Sequence, residues 1–138
     1  MNDRVMPMPG NGDSVWAGMG DYTLIGPDGR HEVSLRYAGE PPHGDSCHEL
    51  RADGVLLPGL AWGCNFAFTP DGRYFAASWI AERYERRTII IDLDERRYLV
   101  LPIYIYDFRF VWPTLAGAGD HQQLRYDFHG RERWTPYS

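Results

Sequence analysis

The sequence predicts an all-β fold, arranged as a single-domain antiparallel meander of about eight or nine short strands. Aromatic and β-branched residues recur in short alternating runs, turn sequences rich in Gly, Pro and Asp separate them, and no long helical period is present. The chain has 138 residues and is 43% hydrophobic, enough for one packed core without disulfides or a structural metal. We expect a small sandwich, a barrel or an open, blade-like sheet.

Residues 1–20 are predicted to form a flexible or irregular N-terminal arm, and residues 21–138 the β domain. The arm is rich in Met, Pro, Gly and Asn and has no sustained period. Trp16 is its exception. A tryptophan in a small, polar segment is either tucked onto the body of the domain or exposed as an anchor for a partner.

Two hairpins follow the arm. Residues 22–25 and 31–37 flank a Pro-Asp-Gly turn, in which proline presets φ and glycine accepts a positive φ. Residues 47–51 and 55–57 flank Asp53-Gly54, a strong hairpin dipeptide.

A third hairpin surrounds the turn at residues 69–73. Alternation predicts two sets of side chains that each share a face: Trp62, Cys64, Phe66 and Phe68 before the turn, and Phe75, Ala77 and Trp79 after it. The run Thr-Ile-Ile-Ile at 88–91 is apolar on both faces, which is typical of a central strand covered on both sides. Residues 92–96 are its turn.

The longest alternation covers residues 103–112, after a strand at 98–101 and a break at Pro102. It predicts one strand with a single aromatic face made of Tyr104, Tyr106, Phe108, Phe110 and Trp112. The other face combines apolar residues with Asp107 and Arg109 as an amphipathic patch. A turn at 114–120, a strand at 121–128 and a short segment ending at Trp134 complete the prediction.

The segment from Phe68 to Ala76, with the sequence FTPDGRYFA, resembles a hairpin of WD40 and TolB-like β-propeller blades. Gly26 to Arg30 echoes its turn 43 residues earlier, close to the length of one blade. The resemblance implies a four-stranded antiparallel meander and nothing about catalysis. Gly-His and Trp-Asp signatures are absent, and the chain is too short for the roughly four blades of a closed propeller.

Candidates for catalysis or metal binding are few. Metal-ligand residue types occur close together at His43, Cys47, His48 and Cys64, but they lack the two close pairs of a zinc site. Ser46 or Cys47 beside His48 has no recognisable nucleophile context, and Asp92 and Asp94 flank a turn where acids commonly cap the backbone. Neither Gly10–Gly12 nor Gly18–Gly20 lies between a strand and a helix, as a phosphate loop would. We predict no catalytic residue, metal or cofactor.

The net charge of −5 argues against nucleic acid as a partner. No apolar run is long enough to span a membrane, and an early acid and prolines do not suit a signal peptide, so a cytoplasmic location with reduced cysteines is expected. The leading hypothesis is a non-enzymatic protein-binding domain, such as a bacterial immunity-type inhibitor of a basic toxin. Its candidate contact residues are Asp92, Asp94, Glu95, Asp107, Arg109 and Trp16.

Two other functions remain open. One is a small β-barrel that binds a ligand in a pocket lined by Trp62, Trp79 and tyrosines, with modest hydrolase activity. The other is a blade-like module that forms homo-oligomers through its edge strands, because an open sheet must cover its edges.

Overall fold

The computed structural model describes residues 4–39, 46–81 and 85–137. Within these ranges the protein is all-β, as predicted, with fourteen strands and one 3₁₀ helix, Gly119–His121. The first seven strands are β1 (Arg4–Pro7), β2 (Val15–Trp16), β3 (Tyr22–Ile25), β4 (Glu32–Gly39), β5 (Cys47–Ala52), β6 (Val55–Leu56) and β7 (Leu60–Phe68). The others are β8 (Tyr74–Ile80), β9 (Arg86–Asp92), β10 (Arg97–Leu101), β11 (Phe108–Val111), β12 (Thr114–Gly117), β13 (Arg125–Asp127) and β14 (Thr135–Pro136).

Eleven strands form one mixed sheet in the order β1-β3-β4-β5-β7-β8-β9-β10-β14, with β2 attached to β7 and β6 to β5. β1 runs parallel to β3, and the other pairs in the described residues are antiparallel. A second, antiparallel sheet contains β11, β12 and β13. The path through the large sheet ends at β1 and β14, which do not pair with each other, so this sheet is open. In the described residues no helix has the length and apolar character needed to cross a membrane.

The large sheet folds over itself around an inner core. Leu24 and Leu35, from β3 and β4, lie in one buried cluster with Phe75 and Ile89, from β8 and β9. The opposite face of β7 to β10 packs against the small sheet in an outer core. β8 and β9 are therefore the middle layer of three, and each of their faces is covered by a different part of the chain.

The three predicted hairpins are confirmed. β3 pairs with β4, β5 with β6, and β7 with β8, each in antiparallel register. In the third turn, the amide of Gly72 donates to the carbonyl of Thr69 over 2.8 Å. The prediction for residues 88–91 is also confirmed, because Ile89 and Ile91 enter the inner core and Ile90 enters the outer core. Phe75, Ala77 and Trp79 share the inner face, as expected.

Trp62 lies on a different face from the one predicted. The pairing of β7 with β8 shifts register around Gly63, whose φ is 74°. This left-handed conformation suits glycine and reverses the alternation of side chains. Trp62 consequently packs in a separate cluster with Cys47 and Ile80. The other members of its predicted face remain in the inner core: Cys64, Phe66 and Phe68.

The single long strand predicted at 103–112 is wrong, because only its second half is extended as β11. The first half crosses the outer face of β8 and β9 and bonds to their side chains. The hydroxyl of Ser78 donates to the carbonyl of Ile105 over 3.0 Å, and the amide of Ile105 donates to Thr88 Oγ1 over 3.1 Å. Ile105 therefore shares the outer core with Phe108. The single aromatic face does not form: Tyr104 packs beside Trp62, and Trp112 is 41% exposed.

Two further segments differ from expectation. Residues 114–117, predicted as part of a turn, form β12. The arm contributes β1 and β2, which pair with β3 and β7. The two arm strands help to raise the count above the predicted eight or nine, because they depend on partners far away in the sequence rather than on a local pattern. β12, in contrast, forms a hairpin with the adjacent β11. His43 and residues 82–84 lie outside the described residues.

Candidate functional site

The six predicted contact residues separate into two groups. Asp92, Asp94 and Glu95 lie at the end of the large sheet where several hairpin turns meet. Asp107, Arg109 and Trp16 lie along the docked arm. A third feature, an aromatic cleft, was not predicted.

The turn end of the sheet is held by ion pairs between turns. Arg30 donates through Nη1 to Asp94 Oδ1 over 3.0 Å and through Nη2 to the carbonyl of Asp71 over 3.2 Å. His31 lies between two carboxylates, with Nδ1 2.8 Å from Asp53 Oδ2 and Nε2 2.7 Å from Asp94 Oδ1. The two Pro-Asp-Gly-Arg turns that echo each other in sequence therefore meet in space. The ion pairs and hydrogen bonds between these turns hold this end of the folded sheet together.

Asp92 is fully buried beneath this end and binds two arginines. Arg73 donates to its two oxygens over 2.9 and 3.0 Å, and Arg97 donates through Nε over 2.9 Å. Burial raises the pKa of the Asp92 carboxyl, but the hydrogen bonds from Arg73 and Arg97 outweigh it and hold that pKa below its usual range. Asp92 is thus a structural ion-pair centre with no surface to offer a partner. Asp94 and Glu95 are exposed.

The arm docks against β11 through Gly12, Asp13 and Ser14. The amide of Phe110 donates to the carbonyl of Gly12 over 2.8 Å. A Cβ at Gly12, where φ is 84°, would lie 2.2 Å from the carbonyl oxygen of Phe110, so this close approach requires glycine. Asp13 pairs with Arg109 over 3.4 Å, and the hydroxyl of Ser14 donates to Asp107 over 2.5 Å.

Trp16 follows directly along the arm, two residues after Ser14, which bonds to Asp107, and three after Asp13, which pairs with Arg109. Trp16 pairs with Asn65 of β7, and the side-chain amide of Asn65 donates through Nδ2 to the carbonyl of Tyr106 over 3.2 Å. Trp16 is not tucked onto the body but is 66% exposed. We call the area formed by Asp13, Trp16, Asp107 and Arg109 the arm surface.

The aromatic cleft lies between the outer face of β8, the small sheet and the C-terminal segment. It has a volume of about 260 Å³. Tyr74 and Trp112 stack with their ring centroids 4.1 Å apart, and Trp112 and Phe128 stack at 4.7 Å. Trp134 completes the wall, 6.1 Å from Tyr74 and nearly parallel to Phe128 at 6.5 Å.

Two charged side chains line the same cleft. Arg97 lies over the ring of Trp134, 4.7 Å from its centroid. The side chain of Glu132 is only 3% exposed and accepts hydrogen bonds from the hydroxyl of Tyr126 and the backbone amides of His129 and Gly130. Burial raises the pKa of the Glu132 carboxyl, but these donors outweigh it and keep that pKa low, so the group is ionised.

Sequence reasoning missed this cleft because its walls come from four separate segments. Tyr74, Trp112, Phe128 and Trp134 each follow or end a predicted strand or turn, where a lone aromatic residue is ordinary. The clustering of Trp112, Phe128 and Trp134 within the last part of the chain was the available signal.

The residues considered for metal or nucleophile chemistry do not come together at a surface. Ser46, Cys47, His48 and Cys64 are all buried. Nε2 of His48 lies 2.9 Å from the carbonyl of Gly20. Among the described residues, no three His, Cys, Asp or Glu side chains are arranged to hold a metal ion. Trp62 and Trp79, the proposed walls of a ligand pocket, are buried in the cores.

No protein-family model, curated protein or solved structure matches this chain.

Proposed function

We propose that this protein is a non-enzymatic protein-binding domain and that the arm surface is its contact site. The observation that carries this proposal is the exposure of Trp16 on a docked segment. Because Trp16 is two-thirds exposed, its apolar ring is in unfavourable contact with water in the free protein. A partner that covers the ring would remove a large apolar area from water. Trp16, Asp107 and Arg109 were also selected as contact residues from the sequence.

The surroundings of Trp16 favour a specific contact. Asp13, Ser14 and the backbone of Gly12 fix the arm before any partner arrives, so little ordering entropy is lost on binding. Arg109 and Asp107 supply charged groups on the segment against which the arm docks. This combination of an aromatic anchor, an arginine and a polar rim is typical of interface hot spots.

The charge of the protein indicates what kind of partner would bind. The chain carries 19 acidic and 14 basic side chains. A basic partner would be attracted before contact, and electrostatic attraction of this kind raises association rates. An immunity-type inhibitor of a basic toxin is the most concrete form of the proposal. The burial of Ser46, Cys47 and His48 supports a role without nucleophilic catalysis.

The proposal is tested with the products of the genes adjacent to this one, because immunity proteins are encoded beside their toxins. Each product is purified and titrated by calorimetry with the intact protein, with Trp16→Ala and with Leu56→Ala. Leu56 is the matched control, since it is 51% exposed on β6, outside the arm surface. We expect Trp16→Ala to weaken binding about 30-fold or more and Leu56→Ala to have almost no effect.

Two outcomes contradict the proposal: none of the products binds, or both variants bind as well as the unchanged protein. Self-association is the second candidate, because β1 is an edge strand whose Val5 is 63% exposed. Light scattering on the free protein, done first, separates the two. A mass of 15.9 kDa at all concentrations excludes self-association and leaves the arm surface free for another protein.

A further inference from the structure

We infer that the aromatic cleft is a binding site for a small planar aromatic carboxylate. The inference starts from Arg97, whose side chain is fixed at two points. Its Nε donates to Asp92 Oδ2, and its guanidinium lies over the ring of Trp134. Its two terminal nitrogens have no hydrogen-bond partner among the described residues, although the side chain is only 35% exposed. A guanidinium held in this way presents a fork that matches the two oxygens of a carboxylate.

The charge next to Arg97 favours an anion over a cation, while the ionised Glu132 also lines the cleft. Asp92 is already shared between two arginines, so this group of three carries a net positive charge. Arg73 uses two nitrogens on Asp92 and lies over Tyr74, whereas Arg97 uses one. The remaining donors of Arg97 are therefore the ones that a ligand can use.

The walls of the cleft select a flat, apolar body for that anion. Phe128 and Trp134 are nearly parallel, with an interplanar angle of 16°, and Trp112 is 41% exposed. Planar rings pack on such surfaces by offset stacking, and each stacked ring pair contributes about 0.5–1.5 kcal/mol beyond its buried area. A volume of about 260 Å³ is slightly below that of sites for drug-sized molecules, and it suits one or two fused rings.

Glu132 restricts the ligand further. Three hydrogen-bond donors hold its carboxylate in the ionised form within the cleft. A second acidic group on the ligand would be repelled there, whereas a ring hydroxyl or ring N–H would be accepted. The ligand class is thus a monoacid, bound with its carboxylate at Arg97 and with any donor directed to Glu132.

The test uses 2-naphthoate, the neutral 2-naphthamide and the cationic 2-naphthylmethylammonium with the full chain, measured by calorimetry. We expect 2-naphthoate to bind at least 10-fold more tightly than either analogue, and 6-hydroxy-2-naphthoate to bind more tightly still. Arg97→Met should weaken 2-naphthoate binding at least 10-fold without changing the affinity for the amide. Arg131→Gln is the matched control, because Arg131 is exposed in the same C-terminal segment and does not line the cleft.

The indole N–H resonances locate the bound probe. Those of Trp112 and Trp134 should shift on addition of 2-naphthoate, and that of Trp16 should not. The inference is overturned if the three naphthalene probes bind equally, if no probe binds at millimolar concentration, or if only the Trp16 signal moves. Comparing the probes on the unchanged protein keeps the test decisive even if Arg97→Met fails to fold. No partner protein is involved, so the outcome is independent of the arm surface.

Discussion

The two faces of β8 and β9 are covered in different ways. The inner face meets the other half of the same sheet, and its side chains are sealed: Phe75 and Ile89 have no exposed surface. The outer face meets a sheet of three short strands and the irregular segment 102–107, and there Trp112 keeps 41% of its surface exposed. A sheet that folds over itself closes a core completely, whereas a small covering sheet leaves aromatic rings accessible at its border. We therefore assign stability mainly to the inner face and ligand binding to the outer one.

The largest expected effect is the difference in stability between two variants, each of which removes one aromatic ring from one of the two faces. Phe75 stacks on Phe66 at 5.9 Å and contacts Phe68 edge-on at 5.1 Å, all within the sealed core. Phe75→Ala should lower the free energy of unfolding by about 3–5 kcal/mol, because a buried cavity remains. Trp112→Ala should cost about 1–2 kcal/mol, since water already reaches the ring. Urea unfolding of both variants checks the difference, and equal losses would contradict the contrast between the faces.

A smaller loss is expected at the ion-pair centre of the outer face. Asp92→Asn removes the charge that two arginines share, and we expect it to cost about 2–3 kcal/mol. The loss stays below that of a fully buried ion pair because both arginines remain about one-third exposed. The folded pKa of Asp92 lies below the usual 3.8, so its stabilisation is present above pH 3.8 and is lost as the pH falls further.

Asp94→Asn is the matched control for that variant. Asp94 contacts Arg30 and His31 at the surface, where water screens the charges, and we expect a loss below about 1 kcal/mol. Denaturant unfolding at pH 7 ranks the two variants. A larger loss for Asp94→Asn would show that the exposed turn clamp, and not Asp92, holds this end of the sheet.

The hairpins were predictable because their signals are local. The Pro-Asp-Gly and Asp-Gly turns fix chain reversal within a few residues, and the Ile run at 88–91 indicates a strand covered on both sides. Gly63 shows the limit of this reasoning, since one glycine with a positive φ reverses the alternation and moves Trp62 to another cluster. Nothing in the alternation itself indicates where such a bulge falls.

The arm surface and the cleft depend on contacts between distant segments. The bond between Ser14 and Asp107 joins residues 93 positions apart, and no local pattern specifies it. Asp107, Arg109 and Trp16 were selected individually for their chemistry, and only the fold brings them together. Asp92 was selected as a surface acid, but the same alternation that buries Ile90 also buries Asp92, two residues further along β9.

The last contrast concerns a buried polar group on β5. His48 has no exposed surface, its Nε2 lies 2.9 Å from the carbonyl of Gly20, and its Nδ1 has no partner among the described residues. Burial lowers the pKa of His48 below 6.5 and keeps the ring neutral. By contrast, Glu132 in the cleft has three donors and is charged.

This difference predicts a pH dependence of stability. As the pH falls below 6.5, the unfolded chain protonates His48 while the folded chain does not, so the free energy of unfolding decreases. The slope contributed by this one group is at most about 1.4 kcal/mol per pH unit, and it ends below the folded pKa. His48→Gln keeps a donor for the Gly20 carbonyl and should flatten the slope between pH 7 and 5, measured by urea unfolding. Leu56→Ala, which changes no titratable group at an exposed position, should leave it unchanged. If His48→Gln retains the original slope, His48 is not held neutral in the folded protein. Water would then be excluded from the inner core less completely than the burial of His48 indicates.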